Sequence, residues 1–175
     1  MEERWSKNPM LKPRIRSVVL NISVGTGGES LQKAAQVLEE LTGQKPSFRK
    51  AKRTIKEFGI RKGMPIAVMV TLRGKKAEEI LNRVAEAVKR TVKASSFDRF
   101  GNFAFGIKEH IDIPGMKYKA EIGVYGMDVI VSLERPGGRV SRRRIERSRI
   151  PLRHRLTKEE GIIYAQKYLN LRVVE

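Results

Sequence analysis

The chain has 175 residues, 40% of them hydrophobic, which is enough for one well-buried core, and a single domain over residues 1–175 is expected. Its 37 Lys and Arg against 19 Asp and Glu leave a net charge of +18, a balance that suits a polyanionic partner and argues against a mixed-sign surface of ion pairs. The absence of cysteine excludes disulfides, cysteine-ligated zinc and thiol catalysis, and no apolar run approaches the roughly 18 residues of a membrane span. The start MEERWSKNPM lacks the apolar centre of a signal peptide, so a soluble, non-exported, cytoplasmic protein with no membrane partner is expected.

After this polar start, residues 17–24 alternate, with Val18, Leu20, Ile22 and Val24 on one face and Ser17, Val19, Asn21 and Ser23 on the other. The pattern predicts a strand with one dry and one largely polar face. A glycine loop at 25–28 breaks it, and Leu31, Ala34, Ala35, Leu38 and Leu41 then recur at helical spacing until Gly43, a C-cap candidate. Residues 46–50 predict a short second strand and residues 65–73 a third, with Ile66, Val68, Val70 and Leu72 opposite Ala67, Met69, Thr71 and Arg73. A hairpin relation between the two is expected. Between Lys45 and Lys62 lie eight Lys or Arg and one acid, Glu57, so a cationic arm over about 49–64 is presented from a folded sheet.

Gly74 opens a second amphipathic helix with Ile80, Leu81, Val84, Ala87 and Val88 inward. Residues 97–113 are rich in aromatics and glycine, and residues 127–133 predict the last strand. From Arg135 to Arg155 the composition shifts to nine Arg and one acid, Glu146, with little apolar periodicity, which reads as a long loop ordered by a partner or not at all. Thr157 to Glu160 has the spacing of a capping box, and Ile162, Ile163, Gln166 and Leu169 suggest a final helix returning to the sheet. The expected fold class is α+β, an antiparallel-rich sheet with helices packed on one face, the polar sheet face exposed and a long basic loop between strands 2 and 3.

Chemistry-bearing constellations are thin. The glycine loop precedes Glu29 where a nucleotide-binding loop needs Lys-Ser/Thr, and it lacks the third spaced glycine of a dinucleotide fingerprint. It reads as a connector, with contact to an RNA phosphate as the other reading. His110 lies beside Glu109 and Asp112, but neighbours in a strand face opposite ways, and solvated or strand-edge charges are expected there. Two histidines without cysteine leave no metal site to assemble, and no cofactor is expected. Ile55, Phe58 and Ile60 interrupt the cations of the arm, either to tuck it against the body or to stiffen it and lie against a ribose or base. Asn21, Ser23, Thr71 and Arg73 would give the sheet face amides, hydroxyls and a guanidinium without stacking aromatics, which points to structured RNA recognised by shape.

The ordered blocks NPM at 8–10, KPRI at 12–15 running into VVLNISVG at 18–25, LTGQKP at 41–46, RKGMP at 61–65, VTLRG at 70–74, FD at 97–98, GN at 101–102, GIKE at 106–109 and GMD at 126–128 span most of the chain. Together they resemble the large-subunit ribosomal protein L5 family in its long archaeal and eukaryotic form, with residues 135–155 as the insertion. The resemblance implies a non-enzymatic component of the central protuberance that binds 5S rRNA and helps attach it to the large subunit, beside a neighbouring 5S-binding ribosomal protein. It implies rRNA contact by Asn21, Gln44 and Thr71, with Ser23, Lys45 and Arg73 beside them, and contact with P-site tRNA by Lys50, Lys52, Arg53, Lys56, Arg61 and Lys62. A bridge to a small-subunit head protein falls on the Phe97–Tyr118 side or the adjacent loop, and Arg142, Arg143, Arg144 and Arg147 are expected to meet additional large-subunit rRNA. The competing readings are a free RNA-binding regulator, which the same surface would serve, and a nucleic-acid enzyme, for which neither paired carboxylates nor a nucleophile with its base can be assembled.

Overall fold

The computed structural model describes residues 2–25 and 27–174. Thr26, inside the expected glycine loop, lies outside the described residues. Strands β1 (Arg14–Ser23), β2 (Ser47–Lys50), β3 (Pro65–Leu72), β5 (Phe103–Ile107) and β6 (Met127–Glu134) form a five-stranded sheet in the order β2-β3-β1-β6-β5. Every neighbouring pair is antiparallel, and the fold is α+β as expected. The remaining elements are helices α1 (Glu2–Lys7), α2 (Glu29–Thr42), α3 (Lys75–Ala87) and α4 (Lys158–Tyr168), with β4 (Thr91–Lys93) and β7 (Arg172–Val174) as a separate parallel pair.

The period-two alternation decides which face is dry. Val18, Leu20 and Ile22 of β1, Val68, Val70 and Leu72 of β3, and Val129 and Val131 of β6 are buried, and they share one core with Leu31, Leu38 and Leu41 of α2 and Ala77, Leu81 and Val84 of α3. Each buried Val, Leu or Ile side chain among them contributes roughly 1.5–3 kcal/mol relative to exposure. Gly43 ends α2 in the left-handed conformation at φ 61°, and its N–H donates to Glu39 O at 2.7 Å. At the start of α4, Thr157 and Glu160 complete the capping box in both directions.

Several elements differ from the sequence expectation. The polar start forms α1 and buries Trp5. The aromatic stretch holds β5, whose Phe103 stacks on Phe97 with ring centroids 4.8 Å apart. In α4 the buried residues are Glu160, Gly161, Tyr164 and Ala165, while Gln166 is exposed, because the helix is turned so that Gly161 meets the backbone at Gly101.

The histidine expected at a solvated strand edge is a correction. His110 is only 2% exposed, in a 3-10 turn, and the Tyr125 N–H donates to its Nδ1 at 3.2 Å. Burial holds its pKa below the usual histidine value, against smaller opposing effects of the Tyr125 backbone and the Glu40 and Glu109 carboxylates. The connection from β5 to β6 that contains it crosses the helix layer: Tyr125 Oη donates to Ser30 O at 3.0 Å, Lys119 Nζ reaches Glu40 at 2.8 Å, and Arg83 Nη2 donates to Pro114 O at 2.9 Å.

The arginine-rich segment also departs from a loop that needs a partner for order. Glu134 gathers Arg142 at 2.8 Å and Arg14 at 3.2 Å, and Arg135 pairs with Glu160 where both side chains are about nine-tenths buried. His154 Nε2 lies 3.0 Å from Pro136 O, and Arg147 Nε donates to Ser141 O at 2.6 Å. Two carboxylates and the segment's own carbonyls supply the acceptors that a composition count overlooks.

Candidate nucleic-acid interface

The face of the sheet away from the helices is open, and register fixes its rows. Asn21 pairs with Met69 on one side and Asp128 on the other, Val19 pairs with Thr71 and Ile130, and Ser23 pairs with Ala67. Asn21, Ser23 and Thr71 therefore share this face, as the alternation predicts. Val19, Met69 and Ile130 lie among them, so the face mixes amide, hydroxyl and carboxylate groups with apolar side chains, and Ile130 is 39% exposed. A flat surface of this kind can lie against ribose while its polar groups meet 2′-hydroxyls and base edges.

The sequence reading missed Asp128. Asn21 Nδ2 donates to Ser23 Oγ at 3.0 Å and to Asp128 Oδ2 at 3.4 Å, so the carboxylate orients the amide across the strand pair. Alternation within β6 was the available signal, since Asp128 is its outward residue opposite Asn21. Next to it, Ser23, Gly106, Lys108 and Gly126 border a shallow depression of about 350 Å³.

Strand direction divides the remaining candidates between two ends of the sheet. β1 finishes, β2 finishes and β3 begins at one end, where Ser23 faces Ala67 and Lys50 faces Pro65. The cationic arm leaves from here. The other end carries Arg14 opposite Glu134, together with the entry into β2 and the exit from β3. Gln44, Lys45 and Arg73 are exposed at that second end, and the Gln44 N–H donates to Thr42 Oγ1 at 3.2 Å.

The arm is a closed hairpin. Ala51 N–H donates to Met64 O at 2.8 Å, Gly63 N–H to Ala51 O at 2.9 Å, and Ile55 and Ile60 exchange both backbone bonds at 2.8 and 3.1 Å. Lys62 N–H donates to Thr54 Oγ1 at 3.0 Å, and Gly59 turns the tip at φ 64°. Lys50, Lys52, Arg53, Lys56, Arg61 and Lys62 are all exposed, and among the described residues none of them forms an ion pair. Ile55 and Phe58 do not tuck against the body, and Phe58 is 70% exposed at the tip. The glycine loop seats the root of the arm: a Cβ on Gly27 would stand 3.3 Å from Met64 Cε and Pro65 O, and Gly25 N–H donates to Ile66 O at 3.1 Å.

Of the four arginines assigned to further RNA, Arg142 is held by Glu134, Arg143 donates to Glu146 O at 2.8 Å, and Arg147 is held by Ser141 O. Arg144 is exposed. The described residues contain no group of three or more acidic or histidine side chains able to hold a metal ion.

Residues 8–61 match the family described as ribosomal protein L5, and residues 65–164 match the C-terminus of the ribosomal L5 family. The chain belongs to the ribosomal protein L5 family. It is 56% identical to the large ribosomal subunit protein uL5 of Sulfurisphaera tokodaii over 100% of this chain and 99% of that protein. It is 58% identical to that of Aeropyrum pernix over 92% of this chain and 84% of the relative, and 51% identical to that of Methanococcus maripaludis over 99% and 97%. Members of the L5 family are ribosomal proteins, structural components rather than enzymes, and RNA binding follows from the family.

Proposed function

We propose that this chain is a structural constituent of the large ribosomal subunit that binds 5S rRNA through the open face of its sheet and helps attach it in the central protuberance. Asn21, Ser23 and Thr71 on the face, with Gln44, Lys45 and Arg73 at its Arg14 end, make the 5S contacts. The observation that carries this reading is the open face itself: one side of a five-stranded sheet left uncovered in a chain of net charge +18, with Asn21 oriented by Asp128. An uncovered face with polar groups held in register suits recognition by shape, while Lys and Arg around it supply affinity.

The arm extends from the opposite end and reaches P-site tRNA with Lys50, Lys52, Arg53, Lys56, Arg61 and Lys62, its hairpin bonds keeping the cations extended. Phe58 at the tip lies against ribose or base. The neighbouring 5S-binding ribosomal protein completes the particle, the arginine-rich segment meets large-subunit rRNA, and the bridge to a small-subunit head protein falls on the Phe97–Tyr118 side, where the β5–β6 connection crosses the helices. Hydroxyl-radical footprinting of 5S rRNA with the purified protein tests the central claim. Protection of a defined helical segment, lost in a variant with Asn21 and Thr71 both changed to Ala, is the expected result; protection unchanged by that variant would remove the sheet face from the interface.

A further inference from the structure

At the Arg14 end of the sheet, the arginine-rich segment folds back over Glu134 and borders a half-open cavity of about 160 Å³. Its walls include Arg16 of β1, Phe100 before β5, Glu134 and Arg135 at the end of β6, and Arg142 and Arg155 of the segment. Four arginines thus line the cavity with the Glu134 carboxylate, which is engaged by Arg142 at 2.8 Å and Arg14 at 3.2 Å and lies 4.0 Å from Arg16, while Arg135 pairs with Glu160. Arg155 is further fixed over the Phe100 ring, 5.2 Å from its centroid.

Arg135 is the decisive residue. Its side chain is only 10% exposed; Nη2 is held by Glu160 and Nη1 donates to Arg153 O at 3.3 Å. Its buried Nε has no hydrogen-bond partner among the described residues. A buried N–H without an acceptor carries an uncompensated desolvation penalty, and the neighbouring space far exceeds the roughly 15 Å³ that one water needs. An anion with several oxygens would satisfy that donor and the adjacent guanidinium groups together.

We infer that this cavity is a phosphate site that takes one phosphate group of an RNA strand, with Arg135 Nε–H, Arg142 and Arg16 as its donors. Glu134 holds Arg142 in position and limits the charge repulsion of the empty site. The inference rests on the RNA reading only for the source of the phosphate, and it concerns the end of the sheet and not its open face. Loss of the Asn21 and Thr71 contacts would therefore leave it standing.

Arginine Nε–H correlation spectra of the full chain, titrated separately with inorganic phosphate and with a short oligouridylate, test it. The Arg135 resonance should move saturably with the oligouridylate. Arg142→Ala should weaken that response roughly tenfold, the loss of one charge-assisted bond, while Lys76→Gln at the exposed start of α3 leaves it unchanged. Arg16→Ala, at a half-exposed position, is the second variant should Arg142→Ala unfold the chain. A matching response to inorganic phosphate identifies the phosphate group alone as sufficient, and a response to the oligouridylate only identifies the strand as its source. No movement of Arg135 with either probe, or movement that never saturates and parallels Arg61, overturns the site in favour of diffuse counterion binding.

Discussion

Gly161 of α4 lies directly against the backbone of Gly101, so close that a Cβ added to Gly161 would stand 2.5 Å from the Gly101 Cα and 2.6 Å from its carbonyl oxygen. Backbone cannot move aside as a flexible side chain can. Gly161→Ala is therefore expected to destabilise the fold by about 1–3 kcal/mol, read as a lower midpoint in urea unfolding. A midpoint equal to the parent's would mean that the helix can slide.

Glu160, one residue earlier, has two tasks. It closes the capping box on the Thr157 N–H at 3.1 Å and neutralises Arg135 in a buried pair. Removing one member of such a pair leaves an uncompensated charge, so Glu160→Ala should cost about 3–5 kcal/mol in the same assay. Glu160→Gln, which retains the cap acceptor, should cost less.

His110 gives a pH signature. Its folded pKa lies below the unfolded value, so the unfolded chain binds more protons as the pH falls, and stability present above the unfolded pKa of about 6.5 is lost as the pH descends through the folded one. Denaturation midpoints measured downward from neutrality should fall, and His110→Gln should flatten that descent. An equally steep descent in the variant assigns it to the carboxylates instead.

The open face and the arm should separate by assay. Asn21→Ala and Thr71→Ala should each weaken isolated 5S rRNA binding by about 1 kcal/mol, whereas Lys52→Gln with Arg53→Gln should act chiefly on P-site tRNA occupancy in assembled ribosomes. Abolition of 5S binding by the arm changes alone would reverse this division of labour.

Salt dependence measures the phosphate contacts. With about six phosphates neutralised, the log–log slope of 5S affinity against salt should lie near −5. Filter binding across a range of potassium chloride concentrations measures it, and a flat line would remove the electrostatic share.

Strands and helices with strong periodicity were legible residue by residue. β3 and α2 follow their apolar positions closely, and Gly43 marks the end of α2 because the left-handed cap needs it. What escaped was set by contacts distant in sequence. β5 reads FAFGI, with no polar residues to alternate with its apolar ones, and its pairing with β6 decides it. His110 was misread because a turn, not a strand, carries it beneath Tyr125. The order of the arginine-rich segment depends on Glu134 and Glu160, each outside the charge run that it balances. On the open face, alternation located Asn21, Ser23 and Thr71, and alternation in β6 also turns Asp128 outward, but only the cross-strand register places it beside Asn21.

The cationic hairpin and the arginine cluster sit at opposite ends of β1, whose 10 residues span about 33 Å. The sheet thus serves as a ruler. Its hydrogen-bonded ladders fix the spacing between two cationic regions more firmly than any tether could, and lengthening the strands by two residues would move them roughly 7 Å further apart. An RNA that touches both must match that span or bend to meet it.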